Sequence, residues 1–171
     1  MNKDIVVGGI YETNNYGKLE VLSIGSYKEV KVRFLETGYV VLSRSDKIRE
    51  GNVKDRYSPS ICGVGFIGVG SHQTTKDKAK VKAYSTWKSM LERCYSEYYL
   101  KTRPTYIGCS VCVEWHNYQI FAKWFYENYI EGYQLDKDCK VEGNKVYSPD
   151  TCMFVSAREN VIKASAISFN F

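Results

Sequence analysis

Asp136 and Asp138 stand two residues apart in a short apolar–polar alternation around Leu135, and Asn160 follows where the chain reads as a helix. Two carboxylates and a carboxamide are hard oxygen donors, the kind that Mg²⁺ or Mn²⁺ takes. A divalent ion held this way can stabilise a leaving oxygen and clamp a phosphate. Hydrolysis also needs a base to activate water. A His near neutrality suits that role better than a carboxylate whose pKa burial has not raised. The chain has two His. His72 sits in a polar, lysine-rich stretch and reads as exposed. His116 follows Trp115 and reads as packing, although it is a conceivable substitute base. Asp136 can be base, metal ligand or turn-former, and the residue types leave all three open.

Cys109-x-x-Cys112 is a second candidate constellation. Two thiolates at this spacing can form half a zinc knuckle, and Cys139 and Cys152 could complete it. Those two show no second CxxC spacing, and a free Cys packs readily as a small hydrophobe. The expectation is packed thiols rather than structural zinc.

The elements that must position Asp136 and Asn160 can be read between Gln134 and Ala164. The alternation around Leu135 reads as a strand, and Gly143-Asn144 as the tip of a long loop. The run Cys152-Met153-Phe154-Val155 reads as a second strand. Ser156 is then a good N-cap, and Glu159 three residues on completes a capping box that starts a helix. Strand, loop, strand, helix is a ββα unit. Such a unit can hold a side chain of its first strand against one of its helix.

LDKD, SPDTCMFVS and ARENVIKA in this order resemble the HNH, or His-Me finger, endonucleases of phages and mobile introns. Asp136 falls where that family places its general-base His. Thr151 falls on its middle Asn, and Asn160 on the final Asn that helps hold the metal. The middle of the chain adds a second likeness. TWKSMLERCY followed by GCSVCVEWHNYQIFAKWF is similar to the W-x-x-M-x-x-R-C-Y … V-C-x-E-W-x-x-F segment of phage HNH-like and AP2-associated proteins. Together the two cover about residues 84 to 164. The resemblance implies a metal-dependent phosphodiesterase with Asp136, Thr151 and Asn160 as catalytic positions and Asp136, Asp138 and Asn160 at Mg²⁺ or Mn²⁺. It also implies duplex DNA against the hairpin and final helix, at Lys137, Lys140, Asn144, Lys145, Arg158 and Lys163. The alternative is a non-catalytic protein on the same scaffold that binds nucleic acid or a host protein, which the loss of the His favours.

Charge agrees with a phosphate-bearing partner. The formal net charge is +5, and residues 76 to 103 alone hold eight Lys/Arg against three acids. That segment accounts for the whole excess, and a basic stripe beside tyrosines suits contact with a phosphate backbone. Residues 84 to 100 read as one helix with Trp87, Met90, Leu91, Cys94, Tyr95 and Tyr98 on its core face. Lys88 and Arg93 lie off that face and are candidate phosphate contacts. A second helix is expected from Tyr118 to Ile130, capped by Asn117, with Phe121, Trp124, Phe125 and Tyr129 inward.

The first part of the chain reads as β throughout. Leu19–Ile24, Val30–Leu35 and Tyr39–Leu42 alternate with period two between turn signals. The expected fold is α+β, with three parts. A small SH3-like β-barrel module over 1–55 is followed by a Gly- then Lys-rich connection over 56–83, and by an HNH-like module of two helices and a ββα unit over 84–171. Gly63 to Gly70 alternates glycine with apolar residues, but no P-loop Lys-Ser/Thr follows in register, so close-packed backbone or a bent strand is expected. No run approaches the ~18 apolar residues that span a bilayer. The opening residues lack a signal-peptide h-region. The sequence expectation is a protein of the (host) cytoplasm with reduced cysteines.

Overall fold

The computed structural model of the chain describes residues 4–159. It is a mixed α+β protein that divides into two compact units, Met1–Ser58 and Pro59–Phe171. Among the described residues no helix is long and apolar enough to cross a membrane.

The first unit is an antiparallel sheet of β1 (Ile10–Glu12), β2 (Lys18–Ser26), β3 (Glu29–Phe34) and β4 (Val40–Ser43), in that order across the sheet. Period-two alternation sends Leu19 and Val21 of β2 and Val30, Val32 and Phe34 of β3 to one face. There they pack with Ile48 of a short helix α1 (Ser45–Arg49) and with Val53. The three expected strands are present. Strand β1 and helix α1 have patterns too short to be read from sequence.

The second unit opens with the turns of residues 59 to 74 and a two-residue-strand hairpin, β5 (Thr75–Lys76) and β6 (Ala79–Lys80). Helix α2 (Lys82–Tyr95) and the short α3 (Glu97–Thr102) follow. Then come β7 (Ser110–Val111), α4 (Tyr118–Asn128), β8 (Gln134–Asp136), β9 (Val146–Tyr147) and β10 (Met153–Val155). The helical stretch expected over 84 to 100 is interrupted. Ser96 takes extended backbone, closing α2 and starting α3. Its N–H still donates to Glu92 O at the end of α2, and its carbonyl accepts from Leu100 N at the start of α3, both at 3.0 Å. The break turns Tyr98 off the core stripe, leaving it 71% exposed. Tyr95 is half-buried, its hydroxyl accepting from Val111 N at 2.9 Å.

The core of this unit joins Trp87, Met90, Leu91 and Cys94 of α2 to Tyr118, Phe121, Ala122 and Phe125 of α4, with Trp115, Leu135 and Phe154. The buried Trp87 indole N–H donates to the Trp115 carbonyl at 2.7 Å. Helix α4 starts as expected, its Asn117 side chain accepting from Gln119 N, and ends two residues short of Ile130. Trp124 and Tyr129 are half-buried and pack on Phe154. The glycine run forms close-packed turns rather than a strand. Phe66 bonds to the backbone on either side of Asn117, and Gly65 lies against Leu91 and Trp87.

The β8–β10 pair is antiparallel, with Met153 opposite Asp136 and Phe154 opposite Leu135. The expected capping box is formed. Ser156 N and Oγ both donate to Glu159 Oε2 at 2.7 Å, and Glu159 N donates to Ser156 Oγ at 3.3 Å. A short parallel ladder, β7 with β9, ties Ser110 and Val111 to Val146 and Tyr147.

A methyl group at Gly65 would collide with Leu91 and approach Trp87 to 3.1 Å. Gly65→Ala should therefore destabilise the second unit by about 1–3 kcal/mol, the usual result of overpacking. Denaturant unfolding followed by tryptophan fluorescence tests this, and an unshifted midpoint would contradict the close packing.

Candidate nucleic-acid interface

A cleft of about 870 Å³ lies within the second unit, bounded by α2, the Arg103–Tyr106 turn, β8 and the hairpin tip at 143–145. Helix α2 contributes Lys82, Ser85, Ser89 and Arg93 at three- and four-residue spacing, the face opposite Trp87, Leu91 and Cys94. Arg103 and Thr105 come from the turn after α3, and Asp136, Lys137, Asp138, Asn144 and Lys145 from the β8 hairpin. Five cationic side chains thus meet two carboxylates in one cleft.

Each wall is held by bonds that the sequence makes locally. Asp136 Oδ1 accepts from Asp138 N at 3.0 Å and Cys139 N at 2.7 Å, fixing the turn that leaves β8. Lys137 lies between two aspartates yet is only 8% exposed. Its ammonium is 3.0 Å from Asp138 Oδ2 and 5.9 Å from the Tyr147 ring centre. Asn144 Nδ2 donates to the carbonyls of Lys137 and Val146, both at 2.7 Å, and so closes the loop tip. Lys145 Nζ donates to Thr105 O at 3.0 Å, joining the hairpin to the opposite wall. Arg93 lies over the Tyr106 ring at 5.9 Å and bonds to Tyr147. Burial holds the Tyr147 phenol well above its ordinary pKa, so it is a neutral hydroxyl at physiological pH.

The structure brings Asp136, Lys137, Asp138, Asn144, Lys145 and Arg93 together and leaves other candidates outside. Lys137 is not the exposed phosphate contact expected from its place in a charged hairpin; it is buried because Asp138 and Tyr147 supply its partners. Thr151 donates to Val146 O at 2.7 Å and bonds to Ser148, holding the approach to β10 rather than lining the cleft. Lys88 pairs with Glu92 at 2.6 Å and does not line the cleft. Lys140 reaches Pro149 O at 3.4 Å, and Arg158 is exposed in the turn after Ser156; neither lines the cleft. Asn160 and Lys163 lie outside the described residues. Lys82, Arg103, Ser85 and Ser89 were not singled out from sequence. The polar stripe on α2 was their signal, and Arg103 had none beyond its charge.

The thiols and imidazoles lie elsewhere. Cys109 and Cys152 are buried in the apolar core, and Cys112 and Cys139 are half-buried. Burial pushes the Cys94 and Cys152 thiols up to about 12, which keeps them neutral. Among the described residues, no three His, Cys, Asp or Glu side chains gather as a metal site. His72 stacks on Tyr126 and His116 meets Tyr95 edge-on; neither lines the cleft. Of the ligands expected for Mg²⁺ or Mn²⁺, Asp136 accepts two backbone N–H groups at Oδ1, Asp138 pairs with the Lys137 ammonium at Oδ2, and Asn160 lies outside the described residues.

Asp136→Ala removes the acceptor of two backbone N–H groups and should cost about 1–3 kcal/mol of stability. Asp136→Asn keeps a carbonyl oxygen in the same place and should restore most of that, as thermal melts of both variants would show. Equal losses would mean that the charge, not the turn, holds the hairpin. Comparison of the chain with protein-family models, curated proteins and solved structures finds no match.

Proposed function

We propose that the second unit is an HNH-like nucleic-acid-binding module whose cleft takes the phosphodiester backbone of duplex DNA. The observation that supports this most is the convergence of Lys82, Arg93, Arg103 and Lys145 from separate segments on one cleft. Lys82, Arg103 and Lys145 are exposed and able to reach phosphate oxygens directly. The hydroxyls of Ser85, Ser89 and Thr105 line the same wall and add neutral donors. Binding of this kind follows phosphate charge and is strongly salt-dependent. The first unit, a four-stranded antiparallel sheet, is read as a small SH3-like partner-binding element.

A second reading, metal-dependent hydrolysis by a phage-type HNH endonuclease, is favoured by the antiparallel β8–β10 pair running directly into a capped helix start.

Both readings are tested with a fluorescein-labelled duplex and a supercoiled plasmid. Arg103→Ala with Lys145→Ala should lower the slope of log K against log salt by about 2 in magnitude, one unit for each lost phosphate contact. An unchanged slope would remove the cleft from the interface. The plasmid should stay intact in Mg²⁺ or Mn²⁺. Metal-dependent nicking that disappears in Asp136→Asn would instead establish the nuclease.

A further inference from the structure

The hairpin of β5 and β6 projects ahead of α2 with every residue from Thr75 to Lys80 exposed. Lys76 pairs with Ala79 and Thr75 with Lys80, so only Asp77 and Lys78 form the turn. Both have positive φ, 49° and 64°, the geometry of a type I′ turn. That turn favours Asn or Asp first and Gly second. Asp77 fits its position. Lys78 does not: an L side chain there is strained, and Gly would relieve it. Backbone strain of this kind is concentrated at functional sites.

The surroundings indicate what function this is. Directly opposed residues share a face, so Lys76 and Lys80 lie on opposite faces of the ribbon, with Lys78 at its tip. None of the three has an ion-pair partner among the described residues; Lys80 lies 6.0 Å from the Tyr84 ring centre. Asp77 offsets one of the three charges. The foot of the hairpin is fixed to the core. Val81 N donates to Thr74 O at 3.1 Å, the Tyr118 hydroxyl donates to Gln73 O at 2.8 Å, and Gln119 bonds to both backbone groups of His72. Two residues after Lys80, Lys82 opens α2 and lines the cleft. The ribbon thus has a fixed base and is joined through Val81 alone to Lys82 of the cleft wall.

We propose that the β5–β6 hairpin is a second phosphate-contacting element, an arm whose Lys76, Lys78 and Lys80 hold the DNA backbone beside the segment that occupies the cleft. This rests on the reading of the cleft as a DNA-binding site and extends its footprint past the cleft's edge. The arm contributes affinity and salt dependence without base discrimination.

The test compares the full-length protein with Lys78→Gly, with Lys76→Gln/Lys78→Gly/Lys80→Gln, and with Arg103→Ala/Lys145→Ala, all titrated with the same labelled duplex across a salt series. Lys78→Gly should melt no lower than wild type, because Gly suits the turn, while its salt slope falls by about 1 in magnitude. The triple variant should lose about 3. Hairpin slopes equal to wild type, with the cleft variant's slope reduced, would overturn the arm and leave the cleft reading standing. Reduced hairpin slopes with an unchanged cleft variant would overturn the cleft reading alone. No change in any variant would overturn both.

Discussion

The bond from the Trp87 indole to the Trp115 carbonyl sets the geometry on which the rest of the second unit depends. A fully buried indole N–H must find an acceptor, and here a single carbonyl provides it. That bond fixes the rotation of α2 about its axis. With Trp87, Leu91 and Cys94 turned to α4 and the core, the opposite stripe of Lys82, Ser85, Ser89 and Arg93 has only one place to face. The cleft is the complement of the core packing: the hydrophobic contacts that bury one side of the helix position the cations on the other.

A second constraint operates in the Asp136-Lys137-Asp138 tripeptide, where three charges occupy adjacent positions with three different fates. Asp136 closes a backbone turn, Lys137 is buried against Tyr147, and Asp138 compensates Lys137. A buried ammonium without such a partner would be costly, so Lys137 and Asp138 are tied to one another. The triad gives this wall of the cleft a fixed shape, with both carboxylates engaged.

What could be read from the sequence was what depends on neighbours along the chain. The alternation of Leu19 with Val21 and of Val30, Val32 and Phe34 located two strands. Ser156 and Glu159 located a helix start, and Trp87 through Cys94 a core face. The Ser96 break was not legible, because nothing in SEYYL opposes helix locally. Nor was the convergence of Arg103 and Lys82 with the β8 hairpin, which depends on the fold bringing distant segments together. Lys137 misled for the same reason: a lysine between aspartates looks solvated until a tyrosine ten residues later closes over it. Thr151 is engaged in a turn that family spacing alone does not reveal.

The short parallel ladder between β7 and β9 has a temporal meaning. It joins Ser110 to Val146, so it cannot form until the chain between them exists, and the hairpin wall of the cleft depends on it. Pairings this distant in sequence are late events in folding, since loop closure must precede the contacts that reward it. During synthesis, α2 and its lysines emerge well before the residues that complete the cleft. The nascent chain is therefore basic before it is selective in shape. A finished cleft needs both α2 and the β8 hairpin, and so is acquired only once the chain through β9 has been made.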